Sequence, residues 1–98
     1  MQAQYRVTAL SAIEGVRTAA EELTSAPTSS AVLASLSARL HRLRGTAGSY
    51  GLAEVSRLAA ESEERVARWI SDPALEPDER AAAISRLACA LEVAVMKR

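Results

Sequence analysis

The stretch SAVLASLSARLHRLRGTAGSYGLAEVSRLAAESEERVARWI, residues 30–70, decides the fold. On both sides of Gly51, apolar side chains recur at steps of three and four residues, which is the spacing of one face of an α-helix. Glycine commonly ends a helix, and so short a connection forces the two helices to pack antiparallel. The sequence therefore predicts a helical hairpin over residues 30–50 and 52–70. Its predicted buried positions are Leu33, Leu36, Leu40, Leu43, Ala47 and Tyr50, then Val55, Leu58, Ala59 or Ser62, Val66, Trp69 and Ile70.

Two further helices flank this hairpin. The first is predicted over residues 4–24, and a segment with Pro27 and several hydroxyl side chains that suit helix caps follows it. The last helix follows a loop with two prolines, and Pro77, Asp78 and Glu79 suit its first turn. The expected core faces are Val7, Leu10, Ile13, Val16, Ala20 and Leu23, then Ile84, Leu87, Ala88, Leu91, Ala94 and Val95. Together these patterns predict an all-α fold, an antiparallel up-down-up-down four-helix bundle in a single domain over residues 1–98.

The composition excludes several classes of function. The chain has 12 Lys and Arg against 12 Asp and Glu, so no overall positive field favours nucleic acid as a partner. No run of about 18 apolar residues predicts a membrane span, and the first residues lack the order of a signal peptide. We expect a soluble, cytoplasmic protein without nucleic-acid or membrane partners.

The chain has one cysteine and one histidine, which excludes an internal disulfide and predicts that the chain has no metal site of its own. Cys89 lies among small and apolar residues, and the sequence positions no cation to activate its thiol. We therefore expect a buried filler of the core, with a reactive thiol as the alternative. No cofactor of its own is expected.

His41 is the first candidate for chemistry, because it lies outside the apolar face of its helix. At about 100° per residue, the predicted buried stripe is centred roughly 120° away from the imidazole. The face that His41 does share holds mainly small residues, which are Ser30, Ala34, Ser37, Ala38, Gly45 and Gly48, together with Arg44. The sequence thus predicts an exposed imidazole on a sparsely covered helix surface.

Gly45 and Gly48 suggest that another molecule approaches this surface. Each glycine inside a helix costs about 1 kcal/mol relative to alanine, so a reason other than stability is needed. Together with Ser37 and Ala38 they would let a partner protein close over the imidazole. Arg44, three residues after His41, is placed to offset the charge of a phosphoryl group on the ring. Neutral imidazole is itself a good nucleophile.

The segment from His41 to Leu52, HRLRGTAGSYGL, resembles the motif of histidine phosphotransfer (HPt) domains, His-x-Leu-Lys-Gly-x-Ala/Ser-x-x-aromatic/Leu-Gly. The run from Ala47 to Gly51 is similar to the phosphoacceptor domain of chemotaxis-type histidine kinases. Arg44 replaces the usual lysine, which keeps the charge but allows two parallel hydrogen bonds to phosphate.

This resemblance implies that His41 exchanges a phosphoryl group with an aspartate of a response-regulator receiver domain, or receives it from a histidine kinase. Mg²⁺ would then come from the partner, since this sequence contains no nucleotide-binding loop. The chain would be a phosphoryl carrier in a two-component phosphorelay, either free-standing or a domain of a larger kinase. The identity of the kinase and receiver, the direction of phosphate flow and the oligomeric state stay open.

Two other functions are compatible with a helical bundle. The first is a non-phosphorylated adaptor that keeps the fold, in which His41 would be dispensable. The second is the dimerisation domain of a sensor kinase, which is disfavoured because His41 is not followed by the acidic residue and the later proline typical of that domain. Charged residues of both signs on the hairpin, among them Glu63, are expected to form a solvated surface.

Overall fold

The computed structural model describes residues 3–97, which form four α-helices and contain no strand. They are α1 (Ala3–Ser25), α2 (Ser30–Ser49), α3 (Ala53–Ser71) and α4 (Arg80–Met96). α2 packs mainly on α3 and α1 on α4, while the α1–α2 and α3–α4 contacts are smaller. This arrangement confirms the predicted all-α four-helix bundle. None of the described helices is long and apolar enough to cross a membrane.

The hairpin forms because both of its ends are specified locally. At the start of α2, the Ser29 side chain accepts a hydrogen bond from the Val32 backbone N–H at 3.3 Å, as an N-cap does. After α2, Gly51 adopts a positive φ of 72°. The N–H groups of Leu52 and Gly51 then donate to the carbonyls of Ala47 and Gly48, which is the Schellman arrangement that favours glycine. The predicted stop at Gly51 is thereby confirmed.

Most of the predicted stripe residues lie in the core, but three predictions are wrong. Val7, Tyr50 and Ile70 are 68%, 48% and 45% exposed. In α1 the buried face instead continues through Tyr5 and Ala9, so Val7 lies on the opposite side. Tyr50 lies beyond the last residue of α2, and its ring stacks on Tyr5 with centroids 4.1 Å apart. Ile70 follows the fully buried Trp69, and adjacent helical residues point about 100° apart.

The connection between α3 and α4 is organised by an arginine that the sequence analysis did not single out. Arg80 is completely buried, and its guanidinium donates to the carbonyls of Pro27, Asp72, Pro73 and Leu75 at 2.7–3.2 Å. One buried cation therefore ties the α1–α2 loop to the α3–α4 loop.

The predicted first turn of the last helix is wrong by three residues. Residues 77–79 form a turn in which the Glu79 N–H donates to the Glu76 carbonyl, and α4 begins only at Arg80. Glu76 has a φ of 54°, a backbone conformation that interrupts a helix. Its carboxylate accepts hydrogen bonds from Trp69 and Arg65, and these contacts hold the residue in place.

Cys89 also differs from its expected place. It is exposed rather than buried, and the Arg17 guanidinium of α1 lies 4.0 Å from its sulfur. Arg17 in turn pairs with Glu92 at 3.1 Å. The neighbouring cation comes from a different helix, which local sequence around Cys89 cannot show.

Candidate functional site

His41 lies near the middle of α2 with its backbone anchored and its imidazole accessible. Leu40 and Leu43, on either side of it in the sequence, are almost completely buried. The His41 side chain is 64% exposed. The leucines thus hold the helix against the core, while the imidazole lies on the outer surface, as the helical spacing predicted.

The imidazole is oriented by Glu63 of α3. Nδ1 of His41 lies 3.0 Å from Oε2 of Glu63. An ionised carboxylate can only accept a hydrogen bond, so a neutral imidazole must carry its proton on Nδ1 and donate it to Glu63. This tautomer leaves a lone pair on Nε2, and none of the described residues forms a hydrogen bond with that nitrogen. The Nε2 lone pair is therefore available to an electrophile that approaches from solvent.

Arg44 contacts the same carboxylate from the other side. Its Nη1 lies 3.3 Å from Oε1 of Glu63, an ion pair whose angles do not meet those of a hydrogen bond. Glu63 is 21% exposed and Arg44 43% exposed. A single half-buried carboxylate thus joins the histidine and the arginine, and the arginine remains accessible to a group attached to the ring.

The two helical glycines near His41 are not required by packing inside the bundle. A Cβ added at Gly45 would meet nothing within 4 Å, and one added at Gly48 would lie 3.7 Å from the Ser56 hydroxyl, an ordinary contact. Ala38 is exposed and Ser37 half-buried on the same face. The four predicted docking residues therefore surround an open surface beside the imidazole.

The backbone after His41 is held by a hydroxyl of the neighbouring helix. Ser56 Oγ of α3 donates to the Arg44 carbonyl at 3.1 Å. Ser49 Oγ donates to the Gly45 carbonyl within α2 at 3.2 Å, so it supports the glycine segment and does not contact the ring. The Ser56 bond therefore fixes the glycine-containing part of α2 to α3.

Glu63 is the site residue that the sequence analysis missed, since it was grouped with solvated charges. The spacing of residues around the hairpin turn could have identified it. His41 and Glu63 lie eleven residues before and after Leu52, and Gly48 and Ser56, which face each other, lie four residues before and after it. In an antiparallel pair, residues at equal distances from the turn meet. Counting residues outward from Leu52 in both directions would have predicted that Glu63 lies opposite His41.

No three histidine, cysteine, aspartate or glutamate side chains come together to hold a metal ion anywhere in residues 3–97. The site is instead a nucleophilic nitrogen, an orienting carboxylate and a cation on an uncrowded helix face. Such a group can attack an electrophilic phosphorus if another molecule supplies the phosphoryl donor.

Comparison with known proteins gives a match to one family. The family model described as the Hpt domain matches residues 2–95, which is nearly the whole chain. No curated protein and no solved structure matches the chain.

Proposed function

The chain belongs to the Hpt domain family, whose members act in histidine phosphotransfer, and we propose that it carries a phosphoryl group on Nε2 of His41 in a cytoplasmic two-component phosphorelay. The partner would be a response-regulator receiver domain, a histidine kinase, or both. The observation that carries the proposal is the 3.0 Å contact between Nδ1 and Glu63 beneath a mostly exposed ring.

Phosphoryl transfer from a receiver aspartate to His41 exchanges one bond to phosphorus for another. The Nε2 lone pair forms a bond to phosphorus while the bond from phosphorus to the receiver's aspartyl oxygen breaks, and the electrons of that bond remain on the aspartate. The ring then becomes an N-phosphorylated imidazolium that keeps its Nδ1 proton. Glu63, which already accepts a hydrogen bond from that Nδ1–H group, stabilises the positive charge that develops on the ring. The reverse reaction returns the phosphoryl group by the same path.

Arg44 has the role of offsetting the charge of the attached phosphoryl group. In the unmodified protein it pairs with Glu63 at 3.3 Å and is partly exposed. Guanidinium can share its donors between a carboxylate and a phosphate, because it presents five N–H groups in a planar fork. Mg²⁺ bound by acidic residues of the partner would stabilise the phosphoryl group during transfer.

The open helix face is the surface onto which the partner closes. Small side chains at Ser37, Ala38, Gly45 and Gly48 leave the imidazole projecting above its surroundings. Direct access is necessary because the reacting atoms must approach to about 3–3.5 Å in line.

The test is phosphorylation with a cognate kinase or a phosphorylated receiver. The label should be acid-labile and alkali-stable, as expected for phosphohistidine, and should be lost in His41→Gln. A label that persists in His41→Gln would contradict the assignment. A protein that binds the receiver but accepts no label, even from the small-molecule donor phosphoramidate, would instead be an adaptor that retains the fold.

A further inference from the structure

A second concave surface lies between α1 and α2, apart from the pair of His41 and Glu63. It is a groove of about 220 Å³ whose walls include Ala9 and Ala12 of α1 and Leu43 of α2. A cavity of about 150 Å³ can hold benzene. The groove therefore has room for an aromatic ring or a short aliphatic chain together with one charged group.

The groove is positively charged. α2 contains no acidic residue, and α1 contains none before Glu14. Arg39 and Arg42 line the groove, and among the described residues neither guanidinium has an ion-pair or hydrogen-bond partner. They are three residues apart and so are neighbours on the helix surface. Arg44, by contrast, is already paired with Glu63.

Gly15, the one glycine outside the His41 segment, lies next to Arg39, which lines the groove. A Cβ at Gly15 would lie 3.1 Å from Cζ of Arg39 and closer still to Nη1. Glycine is a poor helix former compared with alanine. Here its missing side chain lets the Arg39 guanidinium lie against the α1 backbone, at the end of the groove opposite Tyr5.

Tyr5 closes the other end and has an unsatisfied polar group. The residue is 3% exposed, and its hydroxyl has no hydrogen-bond partner within the described part of the chain. Buried hydroxyl groups without partners are uncommon in folded proteins. Because Tyr5 lines the groove, its ring adds to the apolar surface against which a ligand can pack.

We propose that the α1–α2 groove binds a small amphipathic anion, namely a carboxylate or phosphate attached to an aromatic or short aliphatic body. Arg39 and Arg42 bind the anionic oxygens, because paired guanidinium groups donate several charge-assisted hydrogen bonds. The apolar body packs on Ala9, Ala12 and Leu43. This site is separate from the proposed phosphoacceptor and does not depend on it.

The test is a titration of ¹⁵N-labelled protein with phenyl phosphate and with benzoate, followed by NMR. We expect saturable shifts of the amides of Ala9, Ala12 and Leu43. Arg39→Gln and Arg42→Gln should each weaken binding about five- to tenfold, through loss of charge-assisted hydrogen bonds. His41→Gln should bind both probes like the wild type, which separates this result from any failure of phosphotransfer.

Two further variants distinguish a built site from general charge attraction. Gly15→Ala keeps every charge but displaces the Arg39 guanidinium, so it should weaken binding, though less than Arg39→Gln does, while leaving the helical circular dichroism intact. Arg68→Gln removes the same charge from α3, which does not pack on α1 in the described structure, and should leave binding unchanged.

Several results would overturn the proposal. They are the absence of saturable shifts in the groove, equal weakening by Arg68→Gln and by Arg42→Gln, or unchanged binding in Gly15→Ala. Inorganic phosphate that bound as tightly as phenyl phosphate would also contradict it, because the apolar wall would then contribute nothing.

Discussion

Replacing Glu63 by glutamine tests the orienting role of the carboxylate most directly. The side chain keeps its size, but its amide offers both an acceptor oxygen and an N–H₂ donor, so it no longer fixes the proton on Nδ1 and also permits the tautomer with the proton on Nε2. In the molecules that carry the proton on Nε2, that nitrogen has no lone pair available for attack on phosphorus. We therefore expect Glu63→Gln to slow phosphoryl transfer while the bundle stays folded.

The magnitude follows from the contact that is lost. A hydrogen bond to a charged group contributes about 1.5–3 kcal/mol, and each 1.36 kcal/mol changes a rate tenfold. Glu63 retains 21% exposure, so solvent weakens the interaction and the lower half of that range applies. Transfer from a phosphorylated receiver should slow about 10- to 40-fold in single-turnover measurements.

The control is Glu64→Gln, which removes the same charge from the neighbouring exposed position of α3 and should transfer at the wild-type rate. Imidazole ¹⁵N shifts provide a readout independent of rate. In the wild type they should indicate a protonated Nδ1, and in Glu63→Gln a shift toward the other tautomer. Wild-type transfer by Glu63→Gln, or an unchanged tautomer, would refute the orienting role.

Four other positions can be tested by substitution. Gly45→Leu should abolish transfer from the receiver yet keep labelling by phosphoramidate and the unfolding midpoint, because space around this position is open; normal receiver transfer would contradict docking on this face. Arg44→Ala should shorten the phosphohistidine half-life, measured by loss of label, and Arg44→Lys should largely restore it. Arg80→Met should lower the free energy of unfolding by about 2–4 kcal/mol, because four loop carbonyls lose their buried donor; an unchanged thermal midpoint would refute this. Hydrogen bonding from Trp69 lowers the pKa of Glu76. The ionised Glu76 therefore stabilises the fold above the ordinary carboxyl pKa of 4.5, and this stabilisation is lost as the pH falls through the lowered pKa. The urea midpoint of Glu76→Gln should consequently change less between pH 7 and acid than that of the wild type; an equal change would contradict this.

The helices and their order could be predicted from the sequence because amphipathic spacing is a local property. The first three predicted helices match the structure to within one residue at each end. The stop at Gly51 was equally local, since a positive φ favours glycine. The exposure of His41 also followed from spacing alone, because the leucines of α2 define which side of the helix is buried.

Contacts between helices required the tertiary structure. Whether Tyr5 or Val7 faces the core depends on how α1 crosses its neighbours, and both positions carry apolar surface. Arg17 meets Cys89 although 72 positions separate them. Arg80 is buried because carbonyls from two loops converge on it, and a charge is tolerated inside a protein only when such partners are present.

The candidate site divides in the same way. The proposed nucleophile, cation and open face all belong to α2, and the rotation of one helix sets their relative placement, which the sequence alone determined. The carboxylate that assigns the proton to Nδ1 comes from α3. Its approach to 3.0 Å depends on the register and separation of two packed helices, which only the tertiary structure decided.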